Sequence, residues 1–194
     1  MGRSKAMLPF AARTIVERII SELAGAFAEV VLVTSHDAAP DRLRVERAGA
    51  RIVIDREPFQ GPVGAIADGL AAVNCEAAFV CSCDLPLIRG EVAAAISAEL
   101  GNADYAAPEI GGRIQPLYAA YRRGCVKDFE AALKRGERRL LDVIATLDGR
   151  LIAESKVRLF DPTLKSFMNV NTPEEYRQAL AVLDDPSLRL RRPA

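Results

Sequence analysis

Asp84 closes the run Ala77-Ala78-Phe79-Val80-Cys81-Ser82-Cys83 and is held by Leu85-Pro86. A carboxylate just past a buried strand can carry a magnesium ion that also touches phosphate oxygens, because magnesium keeps several waters and needs few protein ligands. The same residue also fits an aspartate opening a turn ahead of Pro86. Lys5 stands just ahead of the first helical stretch, where a cation can hold a triphosphate as a point charge. It reads equally as an exposed terminal lysine. Gly61-Pro62-Val63-Gly64 lets a ligand approach the backbone at a helix N-terminus, although turns produce such a tetrapeptide routinely. Asp55 can accept hydrogen bonds from the N–H groups of a base, or simply end a strand. Asn169 and Asn171 flank Val170, so both amides project to one side if the segment is extended. They can grip a second substrate, or serve turn and cap chemistry. His36 lies in a polar loop and reads as solvated. Lys134, Arg135, Arg138 and Arg139 read as exposed helix ends, with phosphate contact as the alternative.

The chain as a whole limits what these residues can serve. Its 194 residues suffice for one domain with a sizeable core. The 26 basic residues balance 26 acidic ones, which argues against a nucleic-acid or membrane-surface role, since both rely on excess positive charge. Arg189, Arg191 and Arg192 make the tail locally basic, ahead of Pro193, and this stretch reads as a frayed, solvated end. No apolar run is long enough to span a bilayer and no signal-peptide pattern opens the chain, so a cytoplasmic location is expected. Cys75, Cys81, Cys83 and Cys125 are irregularly spaced beside a single histidine, which is not the paired pattern of a structural zinc site. They read as small buried hydrophobes in a reducing compartment.

The elements that must position the candidate residues alternate between strand and helix patterns, the signature of an α/β domain with a mainly parallel sheet. An amphipathic helix runs through Ile15, Val16, Ile19, Ile20 and Leu23. Glu29–Thr34 reads as a strand ending in Ser35-His36-Asp37. A helix follows from Pro40 towards Ala48, then a short strand over Arg51–Ile54 ends at Asp55. Pro62 suits the first turn of a helix through Ile66, Leu70 and Val73. After the strand at Ala77–Cys81 comes a helix through Val92, Ile96 and Leu100. Strands at Asp104–Pro108 and Pro116–Tyr121 pair across Gly111-Gly112. Helices fit Cys125–Lys134 and Arg139–Leu147, and one or two strands fit Arg150–Phe160. Thr172, Pro173 and Glu175 supply a capping box for a last helix. No repeat or linker interrupts the pattern, so residues 1–194 read as one domain. In open parallel sheets ligands bind at the carboxyl ends of strands. Lys5, Ser35–Asp37, Asp55–Gly64 and Cys83–Pro86 all lie at such ends.

The order of the motifs is more specific than any one of them. M-G-R-S-K at the start, G-P-V-G at 61–64, C-D-L-P at 83–86, Q-P-L-Y at 115–118 and N-V-N-T-P-E-E-Y at 169–176 occur in succession. In this the chain resembles the molybdenum cofactor guanylyltransferase (MobA-type) family over essentially its whole length. The resemblance implies a three-layer, Rossmann-like nucleotidyltransferase fold with a mostly parallel sheet. It implies transfer of GMP from GTP to molybdopterin with release of pyrophosphate, with Mg²⁺ as cofactor. Carried over by position, Lys5 would contact the GTP phosphates and Asp84 would bind magnesium. Ser35, Asp55 and Gly61 would lie around the guanine and ribose, and Gln115, Asn169 and Asn171 would face molybdopterin.

Such families open with L-x-G-G-x-S-x-R-M-G-x-x-K, and only M-G-R-S-K is present here. The expectation is therefore a domain lacking its first strand, with Met1 as an internal methionine and the true start upstream. Two other readings stand beside the main one. One is CTP-dependent transfer to the same cofactor. The other is a catalytically impaired binding protein that keeps molybdopterin, or a molybdoenzyme maturation protein, as its partner.

Overall fold

A computed structural model describes residues 5–35, 42–56 and 61–184, apart from the side chains of Lys5 and Asp184. His36, Asp37, Pro40 and the arginine-rich tail lie outside the described residues.

After a 3₁₀ turn at Lys5–Met7, a two-residue ribbon pairs β1 (Pro9–Phe10) with β2 (Arg13–Thr14) in antiparallel fashion. Ala11 turns that ribbon with φ +56°. Helix α1 (Ile15–Ala24) begins where Thr14 and Glu17 cap each other reciprocally, and it buries Ile15, Val16, Ile19, Ile20 and Leu23. Strand β3 (Val31–Thr34), helix α2 (Arg42–Ala48) and β4 (Arg51–Ile54) form a right-sized βαβ unit, with Val31 opposite Arg51 and Thr34 opposite Ile54 in a parallel ladder. Helix α3 (Gly61–Ala72) leads to β5 (Ala77–Cys81), and α4 (Gly90–Ala98) to β6 (Tyr105–Ile110). Then come β7 (Arg113–Ile114), β8 (Tyr118–Arg122), α5 (Val126–Lys134), α6 (Leu140–Ile144), β9 (Gly149–Ala153), α7 (Glu154–Val157) and α8 (Pro173–Asp184).

The architecture is α/β with a central sheet, as the sequence implies, but the sheet is mixed rather than mostly parallel. Strand β8 lies antiparallel between β5 and β6, β7 is antiparallel to the far end of β6, and β9 is parallel to β6. Parallel pairing is confined to β3–β4 and β6–β9 among the described ladders. The Gly111–Gly112 turn is what sends the chain back, since both glycines take positive φ. The segment after Arg150 also differs from expectation: the strand ends at Ala153 and Glu154 starts a helical turn.

Two apolar clusters fill the two faces of the sheet. Helices α1 and α4 pack Ile19, Leu23, Val92 and Ile96 against Ala106, Tyr118 and Ala120 on one face. On the other, Val63, Ile66 and Leu70 of α3 meet Phe129, Leu140 and Val143 of α5 and α6 over Ala107, Ala119 and Tyr121. Adjacent strand residues thus feed opposite clusters, as a two-faced sheet requires. Among the described residues no helix is long and apolar enough to cross a membrane.

Candidate active site

Each candidate side chain sits just past the end of an element that packing fixes. Ser35 follows β3 and Asp55 follows β4. The parallel ladder carries on to Asp55, whose N–H donates to the carbonyl of Thr34 at 2.9 Å. Ser35 and Asp55 are therefore neighbours at the carboxyl ends of adjacent strands.

Asp55 is one wall of a cavity of about 510 Å³ whose rim includes Gly61, Gly64, Asp68, Lys134 and Arg138. Its Oδ1 atom is buried and has no hydrogen-bond partner among the described residues. Burial, and then the charge of Asp68, hold its pKa above the ordinary value of 3.8. Buried polar atoms are nearly always paired, so among the described residues this oxygen is an acceptor still open to a donor. Asp68 is occupied differently. It accepts the Arg56 N–H at 2.9 Å and pairs with the Arg56 guanidinium, which also reaches Glu130 at 3.1 Å. This latch fixes the backbone immediately after Asp55.

Gly61 opens α3 with φ +63°, and a Cβ there would meet nothing within 4 Å. The N-terminus of a twelve-residue helix therefore borders the cavity and carries a partial positive charge suited to anions. The first turns of α3 lie between two compartments: Ala65 borders both the polar cavity and an apolar cleft that reaches Ser82 and Cys83.

Asp84 stands in the turn beyond β5, half-buried, with the Ser82 hydroxyl donating to its Oδ1. Two other segments are tied to this turn. Ser82 N–H donates to Leu117 O at 3.2 Å, which brings Gln115-Pro116-Leu117 alongside. Val170 N–H donates to Asp84 O at 2.8 Å, which brings Asn169 and Asn171 alongside. Gln115 is fixed by its own N–H to Pro108 O at 2.8 Å and by Nε2 to Arg113 O at 3.2 Å. Val170 is buried while Asn169 and Asn171 are exposed on either side of it. The capping box of α8 holds their far end: Asn171 N–H and Thr172 N–H both donate to the Glu175 carboxylate, at 2.7 and 2.8 Å.

The residues thus fall into two groups. Asp55 and Gly61 border the polar cavity, with Ser35 next to Asp55 at the neighbouring strand end but not in the cavity lining, whereas Gln115, Asn169 and Asn171 gather about Asp84. The side chain of Lys5 lies outside the described residues. Lys134 and Arg138, which the sequence suggests as exposed helix ends, both border the cavity with Asp55, while Arg135 pairs with Glu137 at 2.8 Å and Arg139 with Asp142 at 3.7 Å. The Arg56–Asp68 latch has no signature in the sequence, since twelve positions separate the two. Cys81 and Cys83 line the apolar cleft, and burial pushes the Cys83 thiol up to about 11 and Cys81 higher still. They are inert apolar fillers at neutral pH. Among the described residues no cluster of three His, Cys, Asp or Glu side chains forms a ready-made metal cage.

Residues 1–182 match the family model of the MobA-like NTP transferase domain. The chain is 30% identical to a probable molybdenum cofactor guanylyltransferase of Pelotomaculum thermopropionicum, covering 95% of this chain and 88% of that one. It is likewise 30% identical to a molybdenum cofactor guanylyltransferase of Desulfosudis oleivorans, over 94% of this chain and 88% of the relative. Among solved structures, molybdopterin-guanine dinucleotide biosynthesis protein A of Archaeoglobus fulgidus superposes with a TM-score of 0.80 at 22% identity, over 94% of this chain and 91% of that one. A cytidylyltransferase from Thermus thermophilus, acting on 2-C-methyl-D-erythritol 4-phosphate by its name, shares the fold with a TM-score of 0.69 at 16% identity, over 92% and 93% of the two chains.

Proposed function

We propose, from the premise that this chain belongs to the MobA-like NTP transferase family and is a nucleotidyltransferase, that it transfers GMP from GTP to the phosphate of molybdopterin. A phosphate oxygen of molybdopterin attacks the α-phosphorus of GTP in line. A new P–O–P linkage forms, the bond from the α-phosphorus to the bridging oxygen breaks, and pyrophosphate leaves with the electron pair.

The observation that carries the reading is the unpartnered Oδ1 of Asp55 in the wall of the polar cavity. Guanine presents two adjacent donors, N1–H and N2–H₂, which a carboxylate accepts side by side. Cytosine presents a single amino donor next to an acceptor, so it satisfies the same carboxylate less well. This favours GTP over CTP. The α3 N-terminus, with Lys134 and Arg138 across the cavity, supplies positive potential for the phosphates, and Lys5 is assigned to them by the resemblance.

The donor set fits magnesium at Asp84, since one hard carboxylate completed by phosphate oxygens and water is the usual arrangement for that ion. When bound there it would neutralise charge building up on the phosphates. The chain's own contribution is positional. Ser82 fixes the Asp84 carboxylate, while the backbone bonds from Ser82 and Val170 bring Gln115, Asn169 and Asn171 up to the acceptor side. No protein nucleophile is required, because holding two anions in line and cancelling their repulsion lowers the barrier.

Pyrophosphate release in mixtures of the protein, Mg²⁺, molybdopterin and either GTP or CTP tests this. Release that needs molybdopterin and is much faster with GTP is expected. Equal or faster release with CTP would overturn the assignment of the base.

A further inference from the structure

Three acidic side chains are buried among the described residues: Glu17, Asp68 and Asp161, exposed by 9%, 8% and 1%. Glu17 and Asp68 each face an arginine, Arg44 and Arg56 respectively. Asp161 is held by neutral donors instead. Its Oδ2 accepts the Ser166 N–H at 3.0 Å and the Ser166 hydroxyl, and its Oδ1 accepts the Thr163 hydroxyl at 3.3 Å. Burying a carboxylate among neutral groups is unfavourable, and a fold that needed only to fill this space would use an apolar side chain. What the carboxylate supplies is acceptor geometry. One oxygen takes both donors of a single residue, so Ser166 is fixed in position and in rotamer.

That grip shapes the loop between α7 and α8. The Asp161 N–H donates to Val157 O at 2.9 Å, and the Leu164 N–H returns to Asp161 O at 3.1 Å. Leu164 takes φ +54°, a left-handed backbone that a bulky L-residue avoids unless its surroundings hold it there. A 3₁₀ turn at Lys165–Phe167 follows, and Met168 leaves it extended, one residue ahead of Asn169. The Phe167 ring lies 4.2 Å from that of Tyr118, whose N–H donates to Gln115 O at 3.1 Å. The turn therefore adjoins both parts of the acceptor group: Asn169 along the chain, and Gln115 across the ring contact. Beyond Asn169 the backbone is already fixed by the Val170 bond to Asp84 and by the Glu175 carboxylate. Asp161 governs the approach from the other side.

We propose that Asp161 is a positioning residue for the acceptor substrate. It acts through Ser166 to set the place of Asn169 and, through Phe167 and Tyr118, that of Gln115. The inference rests on the assignment of these amides to molybdopterin. Asp161 is itself buried, so its contribution is geometric: a displacement of about 1 Å arising far from the chemistry can cost roughly a hundredfold in rate. The nucleotide side stands apart from this brace. Leu164, Phe167 and Met168 pack on the cluster formed with α1 and α4, whereas the α3 residues beside the Asp55 cavity belong to the cluster on the opposite face of the sheet. Loosening the brace should therefore weaken the hold on the acceptor and spare the hold on GTP.

Steady-state pyrophosphate release, with GTP and molybdopterin varied in turn, tests the proposal. Asp161→Ala should raise the KM for molybdopterin by roughly tenfold or more, with the KM for GTP and the saturated rate nearly unchanged. Asp161→Asn should restore the parent value, because the amide oxygen can accept both Ser166 donors while its NH₂ donates to the Thr163 hydroxyl. Should the alanine variant fail to fold, Ser166→Ala keeps the backbone bond to Asp161 and should give a smaller rise in the same KM. Val92→Ala trims a buried side chain of the same apolar cluster, and should lower the thermal midpoint without moving either KM. Amide exchange at Phe167 and Met168, which donate to Leu164 O and Lys165 O, reads the turn directly and should quicken by roughly tenfold in Asp161→Ala. Quickened exchange beside an unmoved molybdopterin KM would overturn the positioning role, as would equal rises in both KM values or a rise in Val92→Ala as large as in Asp161→Ala. A parent chain that releases no pyrophosphate from GTP and molybdopterin would overturn the acceptor assignment and this role with it, a failure seen in the parent rather than in the variants.

Discussion

Val170 donates its backbone N–H to the carbonyl oxygen of Asp84 at 2.8 Å, joining the entry to the last helix to the turn after β5. Eighty-six positions apart in sequence, the two residues make one rigid corner, with Val170 buried beneath and an exposed asparagine on each side of it. The bond gives physical content to the division of labour at the site. The carboxylate assigned to the metal and the amides assigned to the acceptor share a single piece of backbone.

Asn169→Ala and Asn171→Ala should therefore raise the KM for molybdopterin and leave that for GTP nearly unchanged. Losing a hydrogen bond to a charged acceptor group is worth about 1.5–3 kcal/mol, or roughly tenfold to a hundredfold. The cap at Glu175 uses the backbone N–H of residue 171, so the helix start survives the substitution. Steady-state kinetics with each substrate varied in turn checks this. Equal effects on both KM values would remove the amides from the acceptor side.

Asp84→Asn keeps the shape of the turn and removes the charge. If that charge holds magnesium against the phosphates, turnover should fall by roughly a hundredfold or more, since metal charge stabilisation is worth several kcal/mol. The thermal midpoint should hardly move, because the backbone bond from Val170 is retained. The rate at saturating Mg²⁺ is the decisive number, and a rate near that of the parent protein would place the metal elsewhere.

Thr14→Ala tests the mount of the first helix. Thr14 Oγ1 accepts the Glu17 N–H at 3.3 Å, and the Glu17 carboxylate takes the Thr14 N–H at 2.7 Å. Loss of such a cap costs about 1 kcal/mol, or roughly 2–4 °C in a domain of this size. Burial pushes the Glu17 pKa up, but the Thr14 bonds and the Arg44 cation outweigh it and leave the pKa below 4.5. The stability this carboxylate adds is present above its ordinary pKa and is lost as pH falls through the lowered one. Thermal melts at pH 7 and at pH 3 should show a smaller gap between parent and variant at the lower pH.

The elements that were legible in the sequence are those whose signal is local. Apolar periodicity located α1, α3 and α5, and the Thr172–Glu175 box located the start of α8 to the residue. Motif order pointed to Ser35, Asp55, Gly61 and Asp84, and the structure puts all four at strand or helix ends. What stayed hidden depends on partners distant in sequence. Nothing in the run Tyr118–Arg122 says that it lies antiparallel between β5 and β6. Lys134 and Arg138 belong to a charge-rich stretch that looks solvated whichever way α5 faces. Only the packing of α3 against α5 turns them towards Asp55.

Arg56→Gln should move the pH dependence of nucleotide binding. The Arg56 cation now offsets Asp68, which otherwise acts on Asp55 through space and raises its pKa. Without the cation, protonation of Asp55 is favoured further, so guanine nucleotide binding should begin to fail at a higher pH on the acid side than in the parent. The readout is the pH of half-maximal binding by calorimetry. A curve that stays in place while affinity drops at all pH values would mean that Arg56 only shapes the loop.

Asp55→Asn separates folding from recognition. Burial and Asp68 raise the Asp55 pKa above 3.8 in the folded protein, so the native state prefers the neutral form more than the unfolded chain does. The linkage runs accordingly: stability is greatest below 3.8 and is lost as pH rises from there through the raised value. At neutral pH the ionised carboxylate is therefore a burden on the fold, and a neutral isostere should relieve it. The variant's thermal midpoint should rise at pH 7 and match the parent's at pH 3. Its affinity for GTP should fall by roughly tenfold or more, because an amide cannot accept from both guanine donors and leaves one unpaired. The two shifts have opposite signs, which distinguishes a recognition residue from a structural one. A carboxylate that merely ended β4 would give the gain in stability without the loss of guanine binding.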